Sequence, residues 1–261
     1  MNECEGEYTD PVFNQQPTDG YSGLLAETID IEGLRSYYSR PLKSDPHPGL
    51  ILIPHMPGWD ELNREVARRF SEHGFAVVCP DIYQEFGVGA PFEVAMRARE
   101  AGGVADATVM DQTATALSFL LAQPESNGQV GVIGMCSGGR HAFMAACQVP
   151  GIDAVVDCWG GDVVMEPADL TPAMPVAPID LTPQLQCPLL GIFGNDDTFP
   201  TPAQVDQLEA ALKQHGKQYE FHRYDGAGHA IWNYTRTAYR PEAAMDSWNK
   251  ALEFFSNHLR S

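Results

Sequence analysis

Apolar positions along the chain switch repeatedly between two periods. Leu24 to Ile31 and Leu34 to Tyr38 flank Glu32-Gly33 and predict an antiparallel hairpin. Short, continuous apolar runs follow at Gly49–Ile53, Phe75–Cys79, Gln129–Ile133, Ala154–Cys158 and Pro188–Phe193, with a last strand over Tyr219–Tyr224. Such runs are expected of strands covered on both faces. Helical spacing fills the gaps. Asp60–His73 carries Leu62, Val66, Ala67 and Phe70 on one face, and Gly74 closes it. Residues 106–121 place Val109, Met110, Thr113, Leu117 and Leu120 together, and Gly138–Cys147 is a small-residue helix. Pro202 opens a helix behind a Thr201/Gln204 capping box. Pro241 opens the last one, with Met245, Trp248, Leu252, Phe255 and Leu259 as its apolar stripe. Strands alternating with helices predict an α/β fold, a mostly parallel central sheet with helices on both faces.

Three segments break the alternation. Residues 1–22 are polar, with scattered Pro and Gly, and are expected to form an N-terminal arm before a single domain over 23–261. Residues 84–104 hold Gly87, Gly89, Gly102 and Gly103, and residues 162–186 hold five prolines. Both follow strands, where open α/β sheets bind ligands. Both are expected to shape a pocket, with the Pro-rich 162–186 loop over the site.

Charge narrows the function classes. A formal net charge of -19 over 261 residues offers no footprint for phosphate backbones or anionic lipid. No run of about 18 apolar residues exists to span a membrane. The acidic start MNECEGEYTD is no secretory leader. The six cysteines form no CxxC pair and no zinc-spaced cluster. These features point to a cytoplasmic protein acting on a small molecule, as a monomer or small homo-oligomer.

The chemistry concentrates at strand ends. Gly134-Met135-Cys136-Ser137-Gly138-Gly139 lies between a strand and a helix, the setting of a nucleophile elbow with Cys in place of Ser. Asp197 follows the 188–193 strand and is placed to orient a histidine, with Asp196 as the alternative. His229, in Gly226-Ala227-Gly228-His229, follows the last strand. The order Cys, Asp, His is that of α/β-hydrolases. The loop Pro54-His55-Met56-Pro57-Gly58 follows the first buried strand, so the N–H groups of Met56 and Ser137 are the expected oxyanion donors. Trp59, Trp159, Trp232, Phe86 and Phe199 also fall in loops after strands and are read as either pocket lining or packing. A thioesterase, an acyltransferase, or a low-turnover ligand-binding protein on the same scaffold would carry the same motifs.

The stretch Gln123 to Gly139, with its GxCxGG core, resembles the dienelactone hydrolase (carboxymethylenebutenolidase) family. The resemblance extends over roughly residues 23–259. It implies an α/β-hydrolase fold and hydrolysis of an ester or lactone. It also implies Cys136 as nucleophile, His229 as base, Asp197 as its partner, and no metal or organic cofactor. Two positions depart from the family's best-studied members. A Glu that contacts the thiol there is His55 here, and an Arg that holds the substrate carboxylate there is Asn233 here. His55 is therefore expected at the thiol, and Arg97 or Arg99 as a replacement cation.

Overall fold

The computed structural model describes residues 23–237 and 239–260; the expected arm over 1–22 lies outside them. One eight-stranded sheet organises the chain. Its strands are β1 (Leu24–Ile31), β2 (Leu34–Pro41), β3 (His47–Ile53), β4 (Ala76–Pro80), β5 (Ser126–Met135), β6 (Ala154–Cys158), β7 (Leu189–Gly194) and β8 (Tyr219–Tyr224). They lie in the order β1-β2-β4-β3-β5-β6-β7-β8. The β1–β2 hairpin and the β2–β4 pair are antiparallel, and every pair from β4 to β8 is parallel. This is the α/β-hydrolase arrangement.

Among the described residues, six α-helices cover the sheet: α1 (Glu61–Glu72), α2 (Pro91–Glu100), α3 (Asp106–Leu121), α4 (Ser137–Gln148), α5 (Pro202–Gln214) and α6 (Pro241–Leu259). Alternating strand residues serve opposite faces. Ile51, Ile53, Val130 and Val132 pack with α2 to α5, whereas Leu50, Leu52, Ile133 and Met135 pack with α1 and α6. On the second face Phe70, Phe75, Trp248 and Phe255 form one aromatic cluster. Each such buried side chain contributes about 1.5–3 kcal/mol relative to its exposed state.

Most expected elements form, with their ends moved by up to three residues. Asp60 is the N-cap of α1, accepting from Asn63 N–H at 3.0 Å. The Thr201/Gln204 capping box of α5 is present. Two expectations need correction. Residues 84–104, where the pattern showed no helix, hold one: a 3₁₀ turn over Gln84–Phe86 is followed by α2, which starts at Pro91 and buries Val94, Ala95 and Ala98. On α6, Met245 is 66% exposed. The stripe is instead Ala244, Ser247, Trp248, Ala251, Phe254, Phe255 and Leu259, because small residues let the helix sit close to the sheet.

Residues 162–186 contain 3₁₀ turns over Pro167–Asp169 and Pro178–Gln184. Asp162 O accepts from Arg140 of α4, Val164 O from Gln204 of α5, and Ala173 O from Asp106 of α3. None of the segment's hydrogen bonds runs to Cys136 or His229.

Candidate active site

The parallel strands deliver their C-terminal ends side by side, and the candidate residues sit on those ends. Cys136 joins β5 to α4 with φ 55° and ψ -122°, a backbone state that L-residues avoid. Its neighbours make the turn possible. A Cβ on Gly134 would lie 1.9 Å from the carbonyl oxygen of Gly138, and one on Gly138 would lie 2.2 Å from that of Ile53. The turn is held in place by Cys136 N–H, which donates to Cys158 O at 3.0 Å. The thiol therefore stands at the N-terminus of α4, where backbone N–H groups lack helical acceptors and the helix dipole favours negative charge.

Asp197 and His229 come from the next strand ends. The loops after β7 and β8 cross so closely that a Cβ on Gly194 would lie 2.2 Å from Ala227 O. Asp197 Oδ2 accepts from His229 Nδ1 at 2.9 Å, and its Oδ1 accepts from Phe199 N–H at 2.8 Å. The Asp197 side chain is 1% exposed, whereas Asp196 is exposed; geometry selects the former. Burial pulls the His229 pKa down, but Asp197 and the nearby Cys136 sulfur more than offset it and raise it to about 10. The thiol lies close enough to the imidazole to favour its charged form.

On the other flank, Met56 N–H donates to Ser137 Oγ at 3.1 Å. The N–H of Met56, an expected oxyanion donor, is thus occupied by a hydroxyl. Tyr83, absent from the sequence expectations, stands beside both. Burial, then the Cys136 charge, pushes its phenol up to about 12. Its motif, Asp81-Ile82-Tyr83 just after β4, follows the strand-end rule that found the others.

Beneath the turn, Asp157 at the end of β6 is fully buried. Its Oδ1 accepts from Gly160 N–H at 2.8 Å and its Oδ2 has no partner. Burial lifts its pKa to about 7. Arg140, in the first turn of α4, makes a bidentate ion pair with buried Asp106 of α3, which also receives His141 Nε2 at 3.1 Å. This pair fixes the helix carrying the thiol. Among the described residues, no group of three or more His, Cys, Asp or Glu side chains is placed to hold a metal ion, and no helix is long and apolar enough to cross a membrane.

The sequence model of the dienelactone hydrolase family matches residues 34–259. The chain belongs to that family. Its members' names, as well as the fold, make it an ester or lactone hydrolase. It is 29% identical over 244 residues to a Methylorubrum extorquens protein provisionally named a carboxymethylenebutenolidase, covering 91% of this chain and 82% of that one. It is 28% identical to a Bradyrhizobium protein provisionally named a 2-oxo-3-(5-oxofuran-2-ylidene)propanoate lactonase, covering 90% and 96%. A Klebsiella pneumoniae crystal structure, provisionally titled a dienelactone hydrolase, superposes with a TM-score of 0.82 at 26% identity, covering 90% and 99%.

The remaining expected residues of this dienelactone hydrolase family member are engaged elsewhere. His55 Nε2 is paired with Asp60 Oδ2 at 2.7 Å and makes no hydrogen bond to Cys136. Its polar contact stabilises the entry to α1. Trp159 and Trp232 are buried and stack edge to face, with ring centroids 5.5 Å apart; Trp232 N–H donates to Ser247 of α6. Both rings serve packing. Asn233 Oδ1 accepts from the N–H and hydroxyl of Thr235 and closes a local turn. Arg97 is no substrate cation in this structure, because its guanidinium donates to Phe86 O and Val88 O and orders the 86–89 loop. Arg99 is exposed near the end of α2 and carries no pairing to the site. Phe86 packs against the core, and Phe199 lies over Gly161. Trp59 N–H donates to Cys79 O at 3.0 Å, and its ring faces a separate cavity.

Proposed function

We propose that the chain hydrolyses a small lactone or ester through a thioester on Cys136. The observation that carries this reading is the Asp197–His229 pair set beside a cysteine held at positive φ at the end of β5. An imidazolium at neutral pH is the partner an attacking thiolate needs.

His229 already holds the thiol proton as an imidazolium, and the Cys136 thiolate beside it attacks the carbonyl carbon. The developing oxyanion displaces Ser137 Oγ from Met56 N–H and takes a second bond from Ser137 N–H. Collapse breaks the C–O bond, and the leaving oxygen takes the proton from His229. In a lactone that hydroxyl stays attached to the acyl chain. Water then gives a proton to His229 and attacks the thioester, and the acid departs as the thiol is restored. Met56 and Ser137 act here through backbone atoms. The printed names of the relatives favour an unsaturated lactone as substrate. The four other described cysteines are buried and unpaired, which suits a reducing compartment such as the cytoplasm.

A panel of p-nitrophenyl esters, saturated lactones and dienelactones tests the reading. Hydrolysis should fall to background in Cys136→Ala, and mass spectrometry should trap an acyl adduct on Cys136 in the wild type. Turnover that survives in Cys136→Ala overturns it.

A further inference from the structure

Next to the Cys136 turn, on the far side of Tyr83, lies a cavity of about 310 Å³ that the mechanism does not use. That is the lower end of the size range for small-molecule sites, about 300–1,000 Å³. Tyr83 lines it, and so do Pro57 and Trp59, which continue from Met56. Its remaining walls come from Arg35 of β2, Arg64 of α1, Val94 of α2 and the 87–89 loop.

Two guanidinium groups flank the Trp59 ring, with Arg35 Cζ at 5.6 Å and Arg64 Cζ at 5.7 Å from its centroid. Their situations differ. Arg35 is neutralised by Asp81, to which its Nε donates at 2.9 Å. The Arg64 side chain makes no hydrogen bond or ion pair with any described residue, and its Nε is shut off from solvent without an acceptor. A buried charged donor without a partner is costly. Asp81, the one carboxylate in the lining, is already committed. The cavity thus presents a half-buried guanidinium, its Nε without an acceptor, beside an indole, Val94 and two prolines, Pro57 and Pro91.

We propose that this cavity is a binding site for a small organic carboxylate, separate from the place where the reacting carbonyl sits. The planar fork of Arg64 matches a carboxylate in two parallel bonds. The apolar walls favour an anion with a carbon skeleton over an inorganic one. Binding here does not depend on the Cys136 chemistry, so the two readings can fail separately.

Benzoate is the probe, with inorganic phosphate as the comparison, titrated calorimetrically into Cys136→Ala protein. One saturable benzoate site is expected, weakened at least tenfold in Arg64→Met and less in Arg64→Lys, which keeps the charge but loses the fork. Circular dichroism and thermal melts show whether each variant is folded. In the wild type, saturating benzoate should leave the KM for neutral p-nitrophenyl acetate within twofold. Absence of saturable binding, binding untouched by Arg64→Met, or phosphate binding as tightly as benzoate overturns the proposal. So does a competitive rise in KM, which would place benzoate at Cys136.

Discussion

Asp197→Asn is the sharpest probe of the site, because it removes a charge and leaves the shape. Asp197 accepts two hydrogen bonds, from Phe199 N–H at 2.8 Å and from His229 Nδ1 at 2.9 Å. An asparagine keeps the first through its oxygen and then turns its NH₂ toward His229. The imidazole must now accept at Nδ1 and carry its proton on Nε2, so it cannot take the thiol proton. A hydrogen bond to a charged group is worth about 1.5–3 kcal/mol, or about 10- to 150-fold in rate. The wrong tautomer adds to this; the same change in a serine-protease triad costs about 10⁴ in kcat. A fall in kcat of about 10³ to 10⁴ is expected, with KM moving little. The assay is p-nitrophenyl acetate hydrolysis under saturation, with a thermal melt to confirm folding. A folded Asp197→Asn enzyme within threefold of wild-type kcat would refute the role given to Asp197.

Three other outcomes follow from the same geometry. His229 has a folded pKa raised from 6.5 to about 10, so its stabilising contribution is complete below pH 6.5 and is lost as pH rises through 10; His229→Gln should flatten that part of a stability-versus-pH curve measured by urea melts. Asp157 runs the other way as a buried acid lifted from 3.8 to about 7. The folded state holds its proton where the unfolded chain does not, so stability falls between pH 3.8 and 7, and Asp157→Asn should remove that slope. Arg140→Met strands the Asp106 carboxylate and should cost about 3–5 kcal/mol by denaturant midpoint, whereas Arg140→Met with Asp106→Leu should recover most of it.

The strands and the three candidate catalytic side chains were legible in the sequence because both rest on local pattern. Buried parallel strands read as unbroken apolar runs, and the sites of α/β sheets follow strand ends. Helix α2 escaped because its buried face is built from Val94, Ala95 and Ala98, which carry a weak hydrophobic signal, and because glycines bracket it. The error at Met245 has a related origin: hydrophobicity selected the large residue, but close packing chose Ala244 and Ala251. The pairing of His55 with Asp60 and of Arg97 with Phe86 O and Val88 O depends on how each loop folds back on its helix, which residue spacing does not encode. Tyr83 was within reach of the strand-end rule, but a tyrosine after a strand does not by itself distinguish a site from packing.

The closeness of Gly194 to Ala227, and of Gly138 to Ile53, means that the site is stitched from segments far apart in the chain. No contiguous fragment contains it. A nascent chain released before β8 has joined the sheet carries Cys136 as an ordinary thiol, with no histidine beside it. Reactivity should therefore emerge only once β7 and β8 have joined the sheet. Recovery of Cys136 labelling by a neutral alkylating agent during refolding would then report completion of the C-terminal half rather than closure of the elbow itself.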